Sequence, residues 1–345
     1  MAYISFQPKD YFNTKLYTGD GEPAGNAITG VGFQPDWVWI KERSSSNAHL
    51  LFDAVRGVTK SISSNLTSAE VTDAQYLTTF GTDGFTVGPS NDINEPSSTY
   101  ASWNWKANGQ GSSNTDGSIN TTYTSVNTTA GFSISKYTGT GSNATIGTGL
   151  GAIPHMAIFK RTDTSGFNWF VYHRSLGAGK FIILDTTGAE QSSTSIWQNT
   201  TPTSSVITLG GDGGVNASGG TYIAYCFSQK SGFSSMGSYT GNGNADGAFI
   251  YTGFKPAFIM IKRTDSTASW VIFDNKRLGY NVANYQLYAN STSGEGNNVL
   301  LDITSQGFKC RANHLDVNGS GATYIYMAFA EAPLVSSNGV PAVAR

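Results

Sequence analysis

Four landmarks recur three times along this chain in the same order. Tyr-Thr-Gly-x-Gly begins at Tyr17, Tyr137 and Tyr239. An apolar run ending in lysine follows at Gly32–Lys41 (GFQPDWVWIK), Gly151–Lys160 (GAIPHMAIFK) and Gly253–Lys262 (GFKPAFIMIK). Next come the aromatic-rich segments His49–Asp53, Trp169–His173 and Trp270–Asp274, then Thr-Tyr and an alternating apolar run at Thr99, Thr221 and Thr323. In each copy an asparagine stands five residues before that threonine: Asn94, Asn216 and Asn318. The landmark offsets are 120, 119, 120 and 122 residues between the first two copies, and 102, 102, 101 and 102 between the last two. Offsets this steady mark a threefold internal repeat. A repeat of about 100 residues exceeds a solenoid unit and suffices for a packed domain.

The copies divide the chain into modules at 1–107, 131–231 and 232–333, with a Gly/Ser/Asn/Thr linker at 108–130 and a tail at 334–345. Within a copy, short β-branched and aromatic runs alternate with turn residues at about 8–12 residue spacing, the pattern of a sandwich or jelly roll. The expected fold is therefore all-β, with three tandem sandwich-like modules. The best helical candidate is Ser68–Leu77. In the last strand, alternate residues share a face. Ala101, Trp103 and Trp105, with Ile223, Tyr225 and Phe227 and then Ile325, Met327 and Phe329, form the bulkier face and are assigned to the core. The lysine-terminated run is apolar on both faces in all three copies. A sheet apolar on both faces is covered on both, which requires a neighbouring module, a loop or another subunit.

Charged residues make up 13% of the chain, about half the usual share of a soluble domain. The surface is therefore mostly neutral and polar. Net charge is −2, without a Lys/Arg cluster, so nucleic acid is not an expected partner. No apolar run approaches the roughly 20 residues that span a bilayer, and the first ten residues lack the pattern of a secretion signal. Membrane insertion is not expected. Cys226 and Cys310 are the only cysteines and read as small buried residues.

No catalytic motif emerges. His173 fills the slot held by Asp53 and Asp274, a swap that a catalytic base would not survive. Asp83, Asp92 and Glu95 cluster in the first copy alone, and Asp212 and Asp316 lack the regular oxygen spacing of a calcium loop. Neither a cofactor nor a metal is expected. The candidate ligand or partner contacts are Trp37 and Trp39, because aromatics stack on sugars and anchor interfaces. The charged ends of the repeated run join them: Lys41 and Arg43, Lys160 and Arg161, Lys262 and Arg263. Core packing for the tryptophans and edge-protecting charge for the cations are the competing readings.

Tyr-Thr-Gly-x-Gly, GFQPDWVWIKERS at Gly32–Ser44, FDAVRG at Phe52–Gly57, DGFTVG at Asp83–Gly88 and WNWKA at Trp103–Ala107 together resemble repeated-domain virion structural proteins of marine tailed bacteriophages, often tail-fibre-like. The resemblance runs along nearly the whole chain. It implies a non-enzymatic virion protein, assembled in the host cytoplasm and released by lysis. Its expected partners are other virion proteins, a host surface glycan and, as a homotrimer, further copies of itself. The leading expectation is a tail-associated fibre or adhesin component. A capsid decoration or head-fibre protein is the alternative, and a polysaccharide depolymerase the more remote one.

Overall fold

The computed structural model describes residues 7–277 and 283–331. The protein is all-β, and each copy builds the same sheet. In the first copy four antiparallel strands lie in the order Phe12–Thr18, Thr99–Trp105, Trp37–Glu42 and Leu50–Asp53. The second copy repeats it with Phe132–Thr138, Thr221–Phe227, Met156–Arg161 and Phe170–His173. The third uses Ser234–Thr240, Thr323–Ala330, Pro256–Arg263 and Trp270–Asp274. The register matches too: Tyr17 faces Tyr100, Tyr137 faces Tyr222 and Tyr239 faces Tyr324.

A smaller layer covers the outer face of each sheet. It contains Asn26–Thr29, Gly84–Val87 and Leu77–Gly81 in the first copy, and Ala144–Gly147 with Val206–Leu209 in the second. In the third copy Ala283–Tyr288, Gly296–Thr304, Gly307–Cys310 and Phe249–Tyr251 continue the main sheet round into this layer. Val38, Ile40, Phe52 and Tyr100 pack beneath it in the first copy. Phe159, Tyr172 and Tyr222 do so in the second, and Ile259, Phe273 and Tyr324 in the third.

The inner faces of the three sheets meet in one common core. Trp37, Trp39, Trp103 and Trp105 join Met156, Ile158 and Tyr225, and these join Phe258, Met260, Met327 and Phe329. Trp37 stacks on Tyr225 at 4.4 Å, Trp105 meets Phe258 edge-on at 5.6 Å and Phe12 stacks on Phe329 at 5.2 Å. The lysine-terminated strand is apolar on both faces because it lies between its own outer layer and this shared core. The neighbouring modules supply the cover. The final strand needs a correction: the face carrying Tyr100, Tyr222 and Tyr324 is as buried as the bulkier one, since it lines the module's own core.

The contacts between copies repeat cyclically. Backbone N–H groups of Glu70, Glu190 and Glu295 donate to the carbonyls of Thr162, Thr264 and Arg43, at 2.9, 2.8 and 2.8 Å. Trp169 Nε1 donates to Ser63 O (2.9 Å) and Trp270 Nε1 to Ile183 O (2.8 Å). His49 occupies the matching position in the first copy. Its Nδ1 accepts from Trp39 Nε1 (2.8 Å), so Nε2 carries the proton and donates to Tyr288 O (3.0 Å). Each copy thus contacts both others around a pseudo-threefold axis, as subunits do in a cyclic trimer.

Two segments differ from expectation. Ser68–Leu77 forms no helix. Val71–Thr72 pairs with Lys60–Ser61, and Ala69 and Glu70 donate backbone hydrogen bonds to Ser165 and Thr162 of the second copy. Those intermodule bonds replace the helical ones. The described residues contain three single-turn α-helices instead, at Asn91–Asn94, Thr194–Trp197 and Gly213–Asn216. Residues 108–130 are not a free linker. Tyr123–Asn127 adds a strand beside Phe132–Thr138, and Ile119 N donates to Thr145 O at 2.9 Å. The hydroxyls of Thr121, Thr124 and Ser135 bond to one another at 2.9 and 3.1 Å, which lets these three polar side chains be buried. Gly111, at φ +74°, lies where a Cβ would meet Thr124 O at 2.1 Å. The expected tail at 334–345 lies outside the described residues.

Candidate functional site

The repeated landmarks are consumed by the fold. The Tyr-Thr-Gly-x-Gly tyrosines donate to Ile93 O, Val215 O and Val317 O at 2.8, 2.6 and 2.7 Å. The buried Asn94, Asn216 and Asn318 each clasp the same loop, accepting from the N–H of Asp20, Thr140 and Asn242 at 3.0, 2.8 and 2.9 Å. Asp53 and Asp274 hold buried arginines, Arg56 and Arg277, three residues on. In the second copy His173 and Leu176 take those two positions, so the charge pair is exchanged as a unit.

Of the residues expected to touch a ligand or partner, the tryptophans and lysines sit inside and the arginines are half-buried. Trp37 and Trp39 are buried in the shared core. Lys41, Lys160 and Lys262 are fully buried, and their ammonium groups donate to backbone carbonyls. Lys41 reaches Glu42 O (2.6 Å) and Ser45 O (3.0 Å), Lys160 reaches Phe167 O (2.5 Å), and Lys262 reaches Ala268 O (2.7 Å) and Thr187 O (3.0 Å) of the second copy. Burial pulls each from 10.5 to about 8. Arg43 makes a bidentate intermodule pair with Glu295, at 2.8 and 3.2 Å. Arg161 and Arg263 pair with Asp163 and Asp265, two residues on, at 2.9 and 2.8 Å. Edge protection is not their role, because the strand they end lies inside its sheet.

The loop carboxylates are engaged locally. Asp83 accepts from Gly30 N and Gly32 N (3.0 and 2.7 Å), Asp212 caps Gly214 N (2.8 Å) and Asp316 accepts from Ser269 N (2.9 Å). Among the described residues no three His, Cys, Asp or Glu side chains gather closely enough to share a metal ion.

Positions common to three copies hold the fold, so a site used once belongs where the copies differ. One such place is a pocket of about 190 Å³ in the first copy, beside its junction with the second. Leu50 and Ile62 are its buried apolar floor, and the exposed Leu66 and Val71 its rim. Ser61, Ser63, Ser68, Tyr76 and Asp92 supply the polar wall, where Tyr76 OH donates to Asp92 Oδ2 at 3.0 Å. Burial, with the Asp92 carboxylate next in effect, pushes the Tyr76 phenol up to about 12 and keeps it a donor.

The second copy shows why the pocket exists. Leu50 aligns with Phe170, Ser61 with Phe181 and Asp92 with Gly214. The two phenylalanine rings pack at 5.3 Å, and a Cβ on Gly214 would lie 2.0 Å from the Phe170 ring. Those rings fill the space that leucine, serine and aspartate leave open. In the third copy the matching positions hold Val271, the buried Gln286 and the buried Asp316, which accepts from Ser269 N. Read singly, none of these residues stands out. Their signal lies in the differences between aligned copies.

A second unrepeated feature is the exposed pair Phe249 and Tyr251 on an edge strand of the third copy, 53% and 62% accessible. The matching strand of the second copy is covered by residues 117–119.

The chain belongs to the family described as "Domain of unknown function (DUF7483)", whose profile matches residues 7–333. That one match spans all three copies. No curated protein and no solved structure matches the chain.

Proposed function

We propose that this protein is a non-enzymatic structural component of a tailed-phage virion surface, which holds a binding site rigidly toward the host. The observation that carries this reading is the closed ring of three modules about one core. It leaves a low-charge, hydroxyl- and amide-rich exterior over a body without internal hinges at the module junctions. The motif resemblance to virion proteins supports the same reading. The ring within one chain also provides the burial that a homotrimer would otherwise supply. The pocket suits binding better than cleavage, since Asp92 is the one carboxylate in its wall and glycosidic hydrolysis uses two.

The pseudo-threefold shape also suits a seat on a threefold position of a capsid, which favours a decoration protein as the second reading. Cryo-electron microscopy of intact particles tests both. Density at the tail, with the first copy facing outward, is the expected result. Density repeated over the capsid lattice makes it a decoration protein, and absence from the particle overturns the virion reading.

A further inference from the structure

We propose that the pocket of the first copy binds a single neutral sugar ring. The inference rests on the host-surface reading above and names the ligand class. Its size comes first. About 190 Å³ falls below the roughly 300 Å³ at which drug-sized sites begin and holds several waters' volume. That suits one pyranose and excludes a peptide or an acyl chain.

The chemistry of the walls is the second argument. A pyranose has an apolar C–H face and a rim of hydroxyls. Leu50 and Ile62 offer an apolar floor to the first, while Ser61, Ser63, Ser68 and Tyr76 ring the second. The Asp92 carboxylate has about four lone-pair sites and uses one on Tyr76 OH. The others suit a pair of adjacent sugar hydroxyls, which donate. No Lys or Arg lines the pocket, and Asp92 repels anions, so sialic and uronic acids and phosphates are excluded.

The third argument is the comparison between copies. The second copy shows the fold is complete with this space filled by Phe170 and Phe181. The opening in the first copy is therefore not required for folding, and it coincides with Leu50 and Ser61 standing where the second copy has Phe170 and Phe181.

The test is saturation-transfer NMR on the full chain with methyl glycosides of glucose, galactose, mannose and N-acetylglucosamine, and methyl glucuronoside as the anionic control. A ligand this small predicts a Kd on the order of 1 mM. Two fillers copy the second module: Ser61→Phe, and Leu50→Phe with Asp92→Gly. Transfer to at least one neutral glycoside, reduced tenfold or more in both fillers and absent for the glucuronoside, is expected. Tyr76→Phe, which keeps the ring and loses the donor, weakens binding about threefold or more and serves where a filler misfolds. Absence of transfer to the wild type, or transfer unchanged in the variants, overturns the proposal.

Binding of fluorescent protein to host cells separates the two readings. Cell binding by a wild type that shows no sugar transfer sinks the sugar pocket and leaves host recognition standing. Sugar transfer without cell binding sinks host recognition and leaves the pocket.

Discussion

Asp274 Oδ2 accepts a hydrogen bond at 3.0 Å from the indole Nε1 of Trp103, a residue 171 positions away in another copy of the repeat. The same oxygen pairs with Arg277 Nε at 2.6 Å, with both side chains fully buried. One step round the ring, Asp53 Oδ2 accepts from Tyr225 OH at 2.7 Å while holding Arg56. At the third junction His173 Nε2 lies 3.3 Å from Tyr326 O. Burial lowers that histidine to about 4, so it is neutral near pH 7. Two junctions are thus closed by a buried ion pair and one by neutral groups.

Removing one member of a buried pair strands the other's charge, at about 3–5 kcal/mol. Asp274→Ala should therefore destabilise by that amount and orphan the Trp103 indole N–H. Asp53→His with Arg56→Leu, which installs the pairing found at His173 and Leu176, should cost less than Asp53→Ala alone. Urea denaturation of the three variants measures both. A double variant no better than Asp53→Ala would show that the exchange between copies is not a matched one.

Much of this architecture was legible beforehand. The equal offsets placed the strands of every copy, and the doubly apolar Trp37–Ile40 run required a neighbour on its second face. The ring closure was not legible, because it depends on contacts between residues that no spacing connects, such as His49 with Tyr288 O. Lys41 read as a charged strand end because sequence shows the charge and not the carbonyls that accept from it. Residues 108–130 read as a linker because composition registers Ser and Thr as polar without revealing that Thr121, Thr124 and Ser135 satisfy one another. The pocket escaped for another reason: Leu50 and Ser61 are ordinary residues and become informative only beside Phe170 and Phe181.

The shared core predicts one cooperative unit. No copy can bury its inner sheet face alone, so residues 131–231 expressed in isolation should lack cooperative unfolding and expose that face. Trp37→Ala, which removes an indole fully buried among residues of the first two copies, should cost about 3–5 kcal/mol. It should lower a single transition for the whole chain. Calorimetry distinguishes this from three separate melts, which would mean that the modules fold independently.

The three buried lysines make stability depend on pH. Each holds its proton less tightly when folded, at about 8, than its ordinary 10.5. Unfolding therefore takes up protons between those values, and stability rises with pH across that range. The gain is absent below the folded value of about 8. Cys226 and Cys310, pushed by burial from 9.0 to about 12, act oppositely once the pH passes 9.0. The buried tyrosines, raised above 10.0, join them at higher pH. The melting temperature should accordingly climb from pH 8 toward 9 and then level or fall. Lys160→Met should remove about a third of the climb if the three sites are equivalent. A flat or falling profile between pH 8 and 9 would show that these ammonium groups are better solvated than their burial implies.

If the pocket is set by three aligned positions, it should be transferable. Phe170→Leu with Phe181→Ser and Gly214→Asp gives the second copy the side chains of Leu50, Ser61 and Asp92. Phe170 must shrink before Gly214 can gain a side chain, because a Cβ there would stand 2.0 Å from the ring. Gly214→Asp alone should therefore destabilise more than it does in the triple variant. Loss of two aromatic rings should cost on the order of 3–5 kcal/mol, since the surrounding sheet relaxes only partly into the space. A crystal structure of the triple variant should show a second polar-walled pocket beside Ile182. Collapse of the wall into that space would mean that the first copy's opening depends on its intermodule hydrogen bonds, Ala69 N to Ser165 Oγ and Gly166 N to Thr67 O, not on the three side chains.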